Sequence, residues 1–171
     1  LRPGVEMLAD YQSRLAPQGT HGVLVCLQAL PAAGKDGTIR LVLSGVNPQG
    51  VQVTSFKAPN AHELDHDYLW RSVVALPPRG MIGIHNRSHY EEVLVVRVHP
   101  EFLTRQQLPP EVISKNIWRQ RYKQIRHFES HLVQNGTIVL KFFLHVSAGE
   151  QRRRMLERIE KPDKQWKFSL A

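Results

Sequence analysis

Apolar positions along the chain fall into short runs separated by amphipathic stretches. Val23–Leu30 is an apolar run broken only at Gln28, the pattern of a strand buried on both faces. After the turn Asn47-Pro48-Gln49-Gly50, the alternation over Val51–Phe56 predicts a second strand. Met81–His85 and Ile138–His145 predict a third and a fourth. Helical periodicity marks residues 5–15, a helix ending near Ser44, Ala61–Ala75 before Pro77-Pro78, and a short helix near Tyr90–Val96. Pro109-Pro110 opens a long helix to about Gln134, and Asn135-Gly136 is its stop. Ser147 reads as an N-cap, with Glu150 completing a capping box for a helix over 148–159. Strands alternating with helices predict an α/β domain with a parallel sheet.

Composition narrows the class. The 171 residues suit a single domain over 1–171, with 42% hydrophobic and 22% charged residues, ordinary for a soluble chain. No apolar run has membrane-spanning length. Arg2, Glu6, Asp10 and Arg14 do not fit a secretory leader, and the sole cysteine, Cys26, permits no internal disulfide; both favour the cytoplasm. Trp166–Ala171 carries no stop signal and reads as an interrupted element. Lys plus Arg is 23 against 15 Asp plus Glu, a net charge of +8, which suggests a polyanionic partner.

The candidate chemistry centres on the segment after the first strand. Gly34-Lys35 stands where a strand meets a helix, the place where backbone N–H groups can cradle phosphate and a lysine can reach it. Against G-x-x-x-x-G-K-[ST], Ala29 replaces the first glycine and Asp36 the Ser or Thr. The pattern alone leaves open a phosphate loop or a turn with an incidental Gly-Lys.

Other constellations compete. His62-Glu63-Leu64-Asp65-His66 matches the zinc-protease helix H-E-x-x-H, although a solvated helix face accounts for it better. His127 and His131 share a helix face and read as surface residues, and Ser88-His89 lacks the partners of a serine hydrolase. On the long helix, Lys115, Arg119, Lys123 and Arg126 form a basic stripe beside the apolar stripe Trp118, Tyr122, Ile125, Phe128 and Leu132. That basic stripe is either a solvated face or a wall for a polyanionic partner. Arg152-Arg153-Arg154 and Arg158 form a second basic group.

Several separate blocks together resemble the family-2 polyphosphate kinases. They are Ala32–Ile39, Ser44–Gly50, Thr54–Pro59, Glu63–Asp67 with Leu69-Trp70-Arg71, Asn86–Glu92 and Trp166–Ser169, in family order. The resemblance implies a three-layer α/β/α P-loop fold similar to thymidylate kinases, with a helical lid within about 87–130. It implies phosphoryl transfer between inorganic polyphosphate and ADP/GDP or AMP/GMP with Mg²⁺, in a homo-oligomer that needs neither membrane nor nucleic acid. By position, Lys35, Asn86 and Arg87 would be catalytic, with Asn86 also near the metal. Ala33, Gly34, Asp36, Gly37, Thr38, Arg40, Lys57 and Arg71 would join Lys35 in holding phosphate or nucleotide. The family has an aspartate where this chain has Pro31, and its members continue beyond Ala171. Both departures suggest an alternative, a relative that binds nucleotide or polyphosphate without efficient turnover.

Overall fold

The computed structural model describes residues 2–162. The chain enters through helix α1 (Arg2–Gln18), then β1 (Gly22–Ala29) and α2 (Lys35–Val42), followed by β2 (Val51–Ser55). Two short helices, α3 (Ala61–Leu64) and α4 (Trp70–Val74), precede β3 (Ile82–Asn86). Helices α5 (Glu91–Val98), α6 (Glu101–Thr104) and α7 (Ile117–Gln134) lead to β4 (Thr137–Leu144) and α8 (Ala148–Glu160). No helix among the described residues is long and apolar enough to cross a membrane. The block Trp166–Ser169 lies outside the described residues.

All four strands are parallel, in the order β2-β3-β1-β4. After β1 the chain crosses over β3 to reach β2, and after β3 it crosses over β1 to reach β4. Right-handed crossovers therefore send the two connections to opposite faces. The connections leaving the carboxyl ends of β1 and β3 therefore part to opposite faces, which makes the crevice outside those ends the usual ligand position in such sheets. Leu24 and Cys26, two residues apart on β1, share a core with Leu132 and Phe128 of α7, Val139 and Leu76. On β4, Ile138, Leu140 and Phe142 stay 46%, 42% and 52% exposed, so one face of that strand is bare among the described residues.

The predicted strands stand at their expected places, but two helices differ. The expected helix over 61–75 is two short ones, because the Asp67 carboxylate accepts the Leu69 N–H at 2.8 Å and turns the chain. The long helix starts at Ile117 rather than after Pro110. Pro110–Val112 forms a single tight turn, and the Ser114 hydroxyl then accepts the Asn116 N–H at 3.3 Å. Ser147 caps α8 as expected through the Glu150 N–H at 3.2 Å. The Glu150 carboxylate does not return to the cap; it binds Arg153 and Arg154 instead. A full capping box forms at Asn60 and Glu63, on α3.

Candidate phosphate-binding site

The loop after β1 turns through Ala32 at φ 62° and Gly34 at φ 94° before α2 begins at Lys35. Both lie in the left-handed region, which Gly34 adopts without steric cost and Ala32 does not. The Ala33 N–H donates to the Leu30 carbonyl at 3.1 Å and closes the turn. The hydroxyl and N–H of Thr38 both donate to the Gly34 carbonyl, at 3.1 and 2.9 Å. Gly37 is open, with nothing within 4 Å of where a Cβ would stand.

Helix α8 braces this loop from outside. Arg154 donates to the carbonyls of Ala33 at 2.9 Å and Ala32 at 3.4 Å, and Gln151 donates to that of Pro31 at 3.1 Å. With its carbonyls held from behind, the loop is locked across 120 residues of sequence. The basic run is thereby sorted. Arg154 grips the loop, Arg153 binds Glu150, and Arg158 adds its positive field to Lys35.

Burial, followed by the nearby Arg87 guanidinium, pushes the Lys35 ammonium below its usual lysine range; Glu91 and Asp36 only partly offset this. Arg87 follows β3 directly, at φ 65°, its N–H donating to the Leu27 carbonyl at 3.0 Å. That bond ties the end of β3 to the end of β1, and the Arg87 guanidinium pairs with Glu91 at 3.5 Å. One residue earlier, the Asn86 amide donates to the Asp36 carboxylate at 2.7 Å and to the Ser55 hydroxyl at 3.3 Å. The Asn86 Oδ1 is buried and has no partner among the described residues. Asp36, out of place by the phosphate-loop pattern, is thus the acid that meets the end of β3.

Arg87 also lines a second cavity of about 480 Å³, together with Lys57, His66, Tyr68, Arg71 and Phe102. Arg71 donates to the Lys57 carbonyl at 2.9 Å, pairs with Glu63 at 3.6 Å and lies over the Phe56 ring at 5.0 Å. Of the expected residues, Ala33, Gly34, Lys35, Asp36, Gly37, Thr38, Asn86 and Arg87 gather at the ends of β1 and β3. Lys57 and Arg71 stand in the adjoining cavity. Arg40 is exposed on α2, about 140° round the helix from Lys35 at 100° per residue, and is apart from both groups.

The competing constellations have structural explanations. Glu63 caps α3, and the His62 and His66 rings meet edge to face at 4.8 Å and pack against Trp70 at 5.1 and 4.1 Å, so aromatic packing accounts for the pair. The Ser88 hydroxyl accepts from Gln28 at 3.2 Å, while His89 turns to Glu129 at 3.3 Å. Arg119 and Arg126 line a groove with Trp118, Tyr122, Arg97 and Lys141. Two charged residues of α7 that sequence reasoning missed are buried. Arg121 pairs with Glu92 at 3.1 Å, and Glu129 receives bonds from His89, Tyr90 and Lys141. Burial pushes the Glu129 carboxyl up, but these bonds outweigh it and hold it at about 2.

Comparison with known proteins matches this geometry. The family description "Polyphosphate kinase 2" covers residues 4–171. An "ADP-polyphosphate phosphotransferase" of Rhodopseudomonas palustris is 56% identical over 172 residues, covering 100% of this chain and 60% of that protein. An "AMP/ADP-polyphosphate phosphotransferase" of Meiothermus ruber is 49% identical over 164 residues, covering 96% of this chain and 57% of that protein. The crystal structure of polyphosphate kinase 2 from Arthrobacter aurescens TC1 superposes with a TM-score of 0.87 at 37% identity, covering 98% of this chain and 57% of that one. The chain therefore spans between 57% and 60% of the length of these relatives. A parallel sheet in this order, a Gly-Lys turn opening α2 and likeness along almost the whole chain lead to one assignment: the chain belongs to the polyphosphate kinase 2 family.

Proposed function

We propose that this chain moves a phosphoryl group between inorganic polyphosphate and a purine nucleoside mono- or diphosphate. The observation that carries the reading is the left-handed Gly34 turn that opens α2 at Lys35, with Arg87 tied beside it through the Leu27 carbonyl at 3.0 Å. The charges of Arg87 and Arg158 act on Lys35, Glu91 and Asp36 offset them only in part, and a phosphate anion at the helix amino terminus would complete the balance. Phosphoryl transfer asks chiefly for positioning and charge neutralisation, which such a cluster supplies.

In this reading Lys35 neutralises the transferring group, and Arg87 lies between donor and acceptor, since its charge acts on Lys35 and it lines the 480 Å³ cavity. The cavity is of ordinary size for a small ligand. Lys57 and Arg71 hold the acceptor's phosphate there, with Phe102 and Tyr68 as apolar surface for the base. The backbone of Ala33, Gly34, Gly37 and Thr38 shapes the cradle, and Arg40 contributes only its long-range field. The helices from α5 to the start of α7 form the lid over that cavity. The substrates named for the Rhodopseudomonas and Meiothermus relatives support this pair.

Asp36 and the unpartnered Asn86 Oδ1 are hard oxygen donors beside this site and suit Mg²⁺. They would hold the ion, which supplies charge neutralisation at the phosphate oxygens. Pro31 provides no carboxylate, which leaves Asp36 as the acid of the loop.

A coupled assay for ATP made from ADP, polyphosphate and Mg²⁺ tests the reading. ATP formation that depends on all three is expected; absence of ATP from a folded chain that binds neither substrate would overturn it.

A further inference from the structure

Behind the phosphate loop, in the core shared by β1, β3 and α7, three potential metal ligands stand together. Cys26 and His85 face each other across the β1–β3 pair, and His89 follows shortly after β3. They are 1%, 0% and 4% exposed. One ligand atom from each lies within 4.8 Å of the other two.

The hydrogen bonding around them is that of a ligand set. His85 Nε2 meets the Ala75 carbonyl at 3.1 Å, and His89 Nε2 meets the Glu129 carboxylate at 3.3 Å. A ring nitrogen facing a carbonyl or carboxylate carries the proton, which leaves Nδ1 as the lone pair. Both Nδ1 atoms are buried and have no partner among the described residues. Metal-ligating histidines regularly anchor their second nitrogen in this way, to a carbonyl or carboxylate. Two orphaned lone pairs beside a thiol are otherwise costly in a core.

We propose that Cys26, His85 and His89 bind one monovalent thiophilic cation, Cu(I). A thiolate, two neutral imidazoles and Cu(I) sum to zero charge, whereas Zn²⁺ would leave a net positive charge in the core. Zinc also asks for a fourth ligand, and the cluster offers three among the described residues. A thiolate with imidazoles is a donor set that Cu(I) accepts. A point within about 2.8 Å of all three ligand atoms follows from their spacing (4.8/√3). Bonds of about 2.0–2.3 Å then need each side chain to close by ~0.5–0.8 Å. On binding, the Cys26 S–H bond breaks, an S–Cu bond forms and the proton goes to solvent, with no change in oxidation state. Burial, then the charge of Glu129, pushes that thiol up to about 12, so the metal and not the pH must displace its proton. The ion would clamp β1 to the end of β3, directly behind Asn86 and Arg87.

Anaerobic titration of the full chain with Cu(I) against a chromogenic Cu(I) chelator tests this. One tightly held ion per chain is expected, with a raised unfolding temperature and copper-edge absorption showing one sulfur and two nitrogen neighbours. Cys26→Ala and His85→Phe, each checked for fold by circular dichroism, should lose the ion and the temperature rise. His85→Phe keeps an aromatic ring against Phe56, whose centroid lies 4.9 Å away; should one variant unfold, the other carries the test. No uptake by the parent chain would overturn the proposal. So would unchanged uptake by a folded variant, or Zn²⁺ bound in preference to Cu(I).

Discussion

Pro31 sits at the mouth of the phosphate loop with its carbonyl bound to Gln151, and it brings neither a carboxylate nor an N–H. The next residue, Ala32, turns through φ 62°, so the loop keeps its shape without an acid at this point. Restoring one by Pro31→Asp should raise turnover at least ten-fold, equivalent to about 1.4 kcal/mol off the barrier. ADP affinity should change far less. Steady-state kinetics with ADP and polyphosphate measures both, and a variant no faster than the parent would mean that Asp36 already supplies the acid. The Gly34-Lys35 pair was legible in the sequence because strand, turn and helix are consecutive there. The bond between Asp36 and Asn86, fifty residues apart, was not, and neither was the left-handed turn at Arg87, which the Leu27 carbonyl imposes. Both are products of tertiary pairing.

At the scale of elements, α5 and α7 are joined by buried charge. Arg121 and Glu92 are each 5% exposed and lie 3.1 Å apart, with Gln106 bonded to both and the guanidinium 4.1 Å from the Tyr68 ring centroid. Burial raises the Glu92 carboxyl above its usual range, against the pull of Arg121. Arg121→Met alone leaves a buried acid unpaired and should cost about 3–5 kcal/mol, while the double variant with Glu92→Met should recover most of that loss. Urea melts of the two single variants and the double one measure the coupling. A single substitution as mild as a surface one would contradict the pairing. Periodicity found α7 but not this, because a buried arginine and glutamate interrupt the apolar stripe and read as solvent-facing. The same limit split the expected helix over 61–75, where one Asp67 side-chain bond defeats a helical pattern.

Over the whole molecule, the basic residues behind the net charge of +8 fall in several groups, in the groove of Arg97, Arg119, Arg126 and Lys141 and near the β1–β3 crevice. Arg87 and Arg158 act on Lys35 through their charge, and Lys57 and Arg71 line the adjoining cavity with Arg87. The strand order β2-β3-β1-β4 places that crevice, and α8 holds the loop's carbonyls from Pro31 to Ala33. In the proposed function Lys35 grips a phosphate chain directly. Calorimetric titration of polyphosphate into the parent chain and Lys35→Ala tests it most directly. Affinity should fall by roughly 1.5–3 kcal/mol, the contribution of a charge-assisted bond, while circular dichroism stays unchanged. Equal affinity in the two proteins would contradict it.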